Sequence, residues 1–352
     1  MNIVDSPRLG SLAHGRDNNF QFLRFVAAGV VVFFHCFALT DHWTDEPLWR
    51  LTSDWNFGAL GVQIFFVISG FLVTMSWETR ARLAPFVVAR ALRIYPGLIA
   101  ATVFTLVVAG LSSPLAWSSF LSERQTIDFT WRAASGWDLR YELPGAFAAN
   151  PFPRAVNGSL YTLPIELRLY IGVAIAGVIG LIARRGLFAA AIAAGIVATI
   201  VWPQWLPLAP NDEGVRRVAL LFALGALAWR FRDFVPISLL AGAVAIALIL
   251  ASPWGIGRGI LFAPLFVYAI LVLAYHPRLQ WRGFNRAGDY SYGIYVYAFP
   301  IQQTLVERIP GIGPYPLFAA AMPLVVLVAI ASWHGIEKPA LGLKSPFESS
   351  RP

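Results

Sequence analysis

Apolar residues run along this chain in stretches of about 17 to 22, each closed by a short polar or Pro/Gly-rich break. A helix needs about 20 apolar residues to cross the hydrocarbon core, so each stretch predicts a membrane-spanning helix. The pattern places ten spans at about 20–40, 58–77, 94–112, 161–183, 187–204, 215–230, 234–252, 258–275, 288–306 and 316–335. The breaks Ala183-Arg184-Arg185-Gly186 and Trp229-Arg230-Phe231-Arg232-Asp233 are short, as expected between antiparallel neighbours. No internal repeat or low-complexity stretch interrupts the pattern. The predicted fold is an all-α integral membrane protein: an N-terminal segment 1–19, a ten-helix domain 20–335 with one long loop 113–160, and a C-terminal tail 336–352.

Composition supports this and adds orientation. Of 352 residues, 57% are hydrophobic and only 13% charged, too few charges to cover a soluble surface of this size. One side of the membrane would carry sixteen cations: Arg8, Arg16, Arg80, Arg82, Arg90, Arg93, Arg184, Arg185, Arg230, Arg232, Arg278, Arg282, Arg286, Lys338, Lys344 and Arg351. The other carries five in short loops (Arg50, Arg216, Arg217, Arg258, Arg308), besides Arg124, Arg132, Arg140 and Arg154 in the long loop. The first side is therefore expected to be cytoplasmic, with both termini inside and the long loop external. These flanks account for the formal charge of +8. No basic stripe interleaved with aromatics suggests nucleic acid. Cys36 is the only cysteine, which excludes an intrachain disulfide. The first run contains Arg24 and is longer than a signal-peptide core, so it is expected to remain as the first span.

Ionisable groups inside such helices are costly and point to function. His35 stands eleven residues after Arg24 in the first run. Eleven steps of 100° make about three turns, so the two share a face about 16 Å apart along the axis. His35 and Glu166, the latter in NGSLYTLPIELRLY, each fall about five residues inside the external end of a span. That depth is about 7 Å for both. A histidine there can take a proton from a hydroxyl, and a carboxylate can fix its tautomer. The alternative is a histidine that hydrogen-bonds a neighbouring helix and serves packing alone. Arg90 and Arg93, in VVARALRIYPGL, are three apart on one face and suit phosphate oxygens, with Arg24 at similar depth. Equally, they satisfy the positive-inside pattern.

Other features are less specific. Gly58, Gly61 and Gly70 in the second span allow a helix or a thin ligand to approach closely, and Gln63 and Ser69 add polar groups. Trp117, Trp131, Trp137 and Tyr141 suit either a sugar ring or the membrane interface. Asn157-Gly158-Ser159 matches a glycosylation sequon. Cys36 points about 100° away from His35, against a thiol nucleophile. His14, His42, His276 and His334 lack metal-ligand spacing, and no metal is expected. No phosphate-binding glycine loop is present.

Taken in order along the chain, these segments resemble membrane acyltransferase family 3, multi-pass enzymes that modify sugars and other extracytoplasmic acceptors. Arg24-x10-His35 resembles the family's first-helix signature, GVQIFFVISGFL at 61–72 its second-helix motif, and RALRIYP at 90–96 its Arg-x-x-Arg motif. SLYTLPIEL at 159–167 is similar to the segment bearing its glutamate, and DYSYGIYVYAFP at 289–300 and IEKPALGLK at 336–344 to its last two landmarks. One departure is Ala298, where many relatives have histidine; any role of that histidine is absent here or supplied by another residue. No soluble hydrolase-like domain follows the tenth span, so transfer is expected at the membrane domain or through a separate partner.

The resemblance implies an O-acyltransferase of the bacterial inner membrane. Its donor would be cytoplasmic acyl-CoA, acetyl-CoA by default, and its acceptor a hydroxyl of a surface polysaccharide or lipid-linked oligosaccharide. Arg24, Arg90 and Arg93 would meet the coenzyme phosphates, and His35 would be catalytic with Glu166 assisting. Direct transfer and a covalent acyl-histidine both stay open. Membrane lipids and envelope polysaccharide-assembly proteins are the expected partners. The rival is a multi-pass transporter or flippase of a sugar or lipid precursor, without bond chemistry.

Overall fold

The computed structural model describes residues 6–14, 17–201, 212–251, 256–281, 283–286 and 288–344. Arg16, Arg282 and Arg351, counted above for orientation, lie outside these residues, as do 345–352 of the predicted tail and the Arg258 side chain. A helix occupies each of the ten predicted stretches. In chain order they are α1 Phe20–Leu39, α2 Phe57–Arg80, α3 Leu83–Ser112, α4 Leu163–Val178 and α5 Arg185–Val201. There follow α6 Glu213–Arg230, α7 Leu239–Ala251, α8 Ile256–Tyr275, α9 Ser291–Arg308 and α10 Pro314–Ser332. Among the described residues there is no strand, only isolated bridges such as Glu142–Ala155. Five helical stretches are long and apolar enough to cross a membrane: Phe20–Leu39, Phe57–Arg80, Leu83–Ser112, Gly158–Val178 and Pro314–Gly342. The protein is an all-helical membrane protein.

The largest difference from the sequence pattern is at α3, which begins at Leu83 rather than near residue 94. Arg90 and Arg93 therefore ride inside a helix rather than ahead of one. Residues 113–160 include two short helices, Trp117–Ser122 and Arg124–Ser135, then an irregular run to Asn157.

The chain divides into two compact units. The first comprises residues up to Arg24, Gln63–Phe86 and Arg168–Gly288. Its core gathers Phe20, Phe71, Trp229 and Tyr275, with ring centroids 5.3 to 5.8 Å apart in successive contacts. Glycine lets α2 and α6 meet backbone to backbone: a Cβ on Gly70 would sit 1.9 Å from the Phe222 carbonyl oxygen, and one on Gly225 would sit 2.4 Å from that of Val67. Such close crossings are how helices associate where no hydrophobic effect drives them together. Glu78 anchors the end of this crossing, accepting from Trp229 Nε1 at 2.9 Å and facing Arg230 and Arg232.

The second unit comprises Phe25–Val62, Val87–Leu167 and the chain from Asp289. Its axis is α9, whose residues Ser291 to Gln303 are all buried. Gly293 admits α10, where a Cβ would lie 2.9 Å from Ala329 Cα. Gly61 packs α2 on α1, with 2.5 Å between a would-be Cβ and the Ala27 carbonyl oxygen. Pro300 has no N–H, so the Val296 carbonyl one turn earlier has no helical donor. Asn157 Nδ2 fills that place at 2.9 Å and also donates to Thr105 Oγ1 at 3.2 Å. The irregular run is tied to α9 again by Asn150 Nδ2 on Gln303 Oε1 (2.8 Å) and Gln303 Nε2 on the Ala155 carbonyl (2.7 Å). Irregular backbone enclosed this way is tolerable at membrane depth.

Candidate active site

Two stations lie on one face of α9. Tyr292 and Phe299 are seven residues apart, nearly two full turns, and so about 10 Å apart along the axis.

The first station is built around Arg93. Its Nη2 lies 2.7 Å from Asp289 Oδ2, and its Nη1 lies 3.7 Å from Glu337 Oε2. The guanidinium carbon is 5.7 Å from the Tyr292 ring centroid and 6.0 Å from that of Trp333. Glu337 reaches this point because α10 continues into a π-helical turn, Trp333–Glu337, a widened geometry frequent at functional sites. Ser332 Oγ donates to Glu337 Oε1 at 3.0 Å, and Tyr292 Oη donates to the Ile94 carbonyl at 3.0 Å. Gly97 leaves room for the tyrosine, since a Cβ there would meet its ring at 2.7 Å. Arg90, one turn before Arg93 on α3, is half-buried.

The second station holds His35. Its ring packs edge-on against Phe299, centroids 5.2 Å apart, and beside Phe34 at 5.8 Å. The Nδ1 atom is buried without a hydrogen-bond partner. Gly158 closes on the same phenylalanine, where a Cβ would sit 2.8 Å from Phe299 Cε2. Gln302, three residues further along α9, is fully buried; its Nε2 donates to the Val32 carbonyl at 2.8 Å and to Cys36 Sγ at 2.9 Å. Gln302 thus straddles the turn of α1 that carries His35.

Glu166 lies in the same unit as His35. It sits in the first turn of α4, within electrostatic reach of the Tyr292 and Tyr295 hydroxyls, and makes no hydrogen bond to His35. The preceding turn is pinned by Thr162 Oγ1 and Tyr295 Oη, 2.8 Å apart. The glutamate's charge is thus felt along the Tyr292–Tyr295 stretch of α9. Arg24 falls in the first unit, its guanidinium carbon 5.8 Å from the Phe65 ring centroid. The structure thus gathers His35, Glu166, Arg90 and Arg93 into one unit.

The sequon reading is overturned. Asn157 is 1% exposed and its amide nitrogen is held by Thr105 and Val296, so no glycan can be attached there. Gln302, Gln303 and Asn150 were not singled out from sequence. Two adjacent amides in an apolar span were the available signal, because buried amides demand partners. Ala298 is buried within α9. Trp131, Trp137 and Tyr141 of the long loop are exposed.

Comparison with known proteins shows the family. A family described as "Acyltransferase domain", acyltransferase family 3, matches residues 17–334. An O-acetyl transferase of Shigella phage Sf6 is 26% identical over 351 residues, covering 94% of this chain and 98% of its own. Nodulation protein 10 of Rhizobium leguminosarum bv. viciae is 30% identical over 366 residues, covering 96% of both chains. No solved structure matches. A match along nine-tenths of its length makes the chain a member of acyltransferase family 3 and an O-acyltransferase.

Proposed function

We propose that the protein moves an acetyl group from cytoplasmic acetyl-CoA to a hydroxyl of an extracytoplasmic glycan or lipid-linked sugar, in the bacterial inner membrane. One observation carries the reading: an imidazole with a buried, unpartnered Nδ1 stands about two helical turns along α9 from an arginine centre. Arg90 and Arg93 are assigned to the coenzyme phosphates. The thin acyl-bearing arm would then follow the Tyr292–Phe299 face toward His35. There the neutral imidazole takes the proton of the acceptor hydroxyl as its oxygen attacks the thioester carbon. The C–O bond forms, the C–S bond breaks, and the imidazolium proton passes to the departing thiolate.

Glu166 enters as an assisting negative charge felt at Tyr292 and Tyr295, without a hydrogen bond to His35. The name of the phage relative, an O-acetyl transferase, supports acetyl as the group moved. The test is direct. Purified protein given acetyl-CoA and candidate glycans should release free coenzyme A thiol, and surface glycans from cells with and without the gene should differ by one acetyl mass. Glycans unchanged in mass, with no thiol released by any of them, would overturn the reading.

A further inference from the structure

Asn157 Oδ1, Ser159 Oγ and Gln302 Oε1 are, like His35 Nδ1, among the buried polar atoms of the second unit that have no hydrogen-bond partner. Their residues are 1%, 1% and 0% exposed. Such atoms are rare in folded proteins because each forfeits its bonds to water. Here all flank the same stretch of α9. Asn157 binds at Val296, Gly158 closes on Phe299, and Gln302 lies one turn beyond, facing the turn of α1 that carries His35.

Their chemistry is also one-sided. The carbonyls of Val296 and Val32 can only accept, so they fix the two amides with nitrogen toward them. Asn157 Oδ1 and Gln302 Oε1 are then left as acceptors with set directions. Ser159 Oγ can give or take a hydrogen bond. A ligand that satisfies this set must bring several donors, which a thioester carbonyl lacks and a polyol has around its ring. A lone alcohol would satisfy His35 and leave the others unmet. An enclosed site built to hydrogen-bond hydroxyls discriminates strongly against a substrate without them.

We infer that Asn157, Ser159 and Gln302 form the acceptor subsite, reading the hydroxyls beside the one acylated, so that the acceptor is a sugar ring and not a single alcohol. The inference rests on His35 as the base of the proposed transfer. Ser159 is the clean probe, because its hydroxyl has no partner to lose and Ser159→Ala disturbs no observed contact.

The experiment uses the full chain in nanodiscs with radiolabelled acetyl-CoA. The acceptors are methyl glycosides of hexoses and of an N-acetylhexosamine, their monodeoxy counterparts, and cyclohexanol as a ring with one hydroxyl. At least one glycoside should be acetylated, with cyclohexanol at least tenfold slower. Removing the hydroxyl next to the acylated one should raise KM about tenfold in the unaltered protein. Ser159→Ala should raise KM similarly for the intact glycoside and add nothing to the deoxy loss. Its acetyl-CoA affinity should be unchanged, and its thermal midpoint equal or higher. Cyclohexanol accepted as well as the glycosides, or an unchanged KM in Ser159→Ala, overturns the subsite and leaves His35 as base intact. Acetylation of none of these alcohols overturns both. The deoxy series needs no variant, so it decides even if a substitution prevents folding.

Discussion

Arg93→Ala should unfold the second unit more readily than any other single arginine change in α3. Arg93 is the cation facing two buried carboxylates, Asp289 at 2.7 Å and Glu337 at 3.7 Å, whose side chains are 9% and 3% exposed. Removing one partner of a buried ion pair strands the other charge and costs about 3–5 kcal/mol. At about 2 °C per kcal/mol for a chain of this size, the thermal midpoint should fall by roughly 6–10 °C. The assay is thermal unfolding of detergent-solubilised protein, followed by tryptophan fluorescence. A double-mutant cycle isolates the interaction. Adding Asp289→Asn to Arg93→Ala should recover part of the loss, with a coupling of about 0.5–3 kcal/mol. Arg93→Lys keeps the charge but loses the planar fork, and should fall between. The measurement also bears on the donor reading, because loss of acetyl-CoA binding in Arg93→Ala counts as phosphate contact only where the protein is still folded. An unchanged midpoint in Arg93→Ala, with no coupling to Asp289→Asn, would refute the argument that this arginine holds the carboxylates.

His35→Ala should lower transfer by a factor of about 10² or more while expression and thermal midpoint stay normal; near-normal acylation would remove it as the base. Arg90→Ala should weaken acetyl-CoA binding by roughly ten- to a hundredfold, the worth of a charge-assisted contact to phosphate, read by isothermal titration. Unchanged affinity would return Arg90 to orientation alone. Glu166→Gln should lower turnover with little change in donor affinity, and wild-type turnover would place the carboxylate outside the chemistry. Gly70→Leu should abolish folded protein, since even a Cβ would stand 1.9 Å from the Phe222 carbonyl oxygen; a stable, active variant would show that α2 and α6 can separate.

A helix lies in each of the ten apolar stretches, five helical stretches being long and apolar enough to cross a membrane, because apolar length is a property of each segment by itself. Close packing at Gly58, Gly61 and Gly70 was legible for a related reason: glycine in an apolar helix has few uses other than admitting a neighbour. Each does so here, Gly58 against the Phe34 ring, Gly61 against the Ala27 carbonyl and Gly70 against the Phe222 carbonyl. His35 and the arginines were legible because charge or imidazole inside an apolar run is expensive. The α3 start was not. Arg82 just before it and Arg90 and Arg93 in its first turns lower the local hydropathy below that of a span, while the backbone is helical from Leu83 on.

Glu166 shows where such reading stops. Counting residues inward from the end of a span assumes that the helix starts at the membrane surface. Here the run before α4 is packed on another helix: Asn157, Gly158 and Thr162 meet α9 at Val296, Phe299 and Tyr295, within its buried stretch. The helix therefore starts beside the middle of α9, and its first acidic residue comes against Tyr292 and Tyr295. What draws the run inward is Pro300, which frees the Val296 carbonyl for a donor from outside the helix. A proline in one segment thus frees the carbonyl that holds a run more than 130 residues earlier in the chain. That coupling passes through a single amide, so Asn157→Ala should do more than remove one hydrogen bond. With the carbonyl bare in an enclosed site, at a cost of about 1–3 kcal/mol, the run should loosen from α9. Hydrogen–deuterium exchange would then rise across residues 150–165 while the α10 face of α9 stays protected. Exchange raised evenly along α9, or nowhere, would show that the run is held by its other contacts and not by the carbonyl that Pro300 frees.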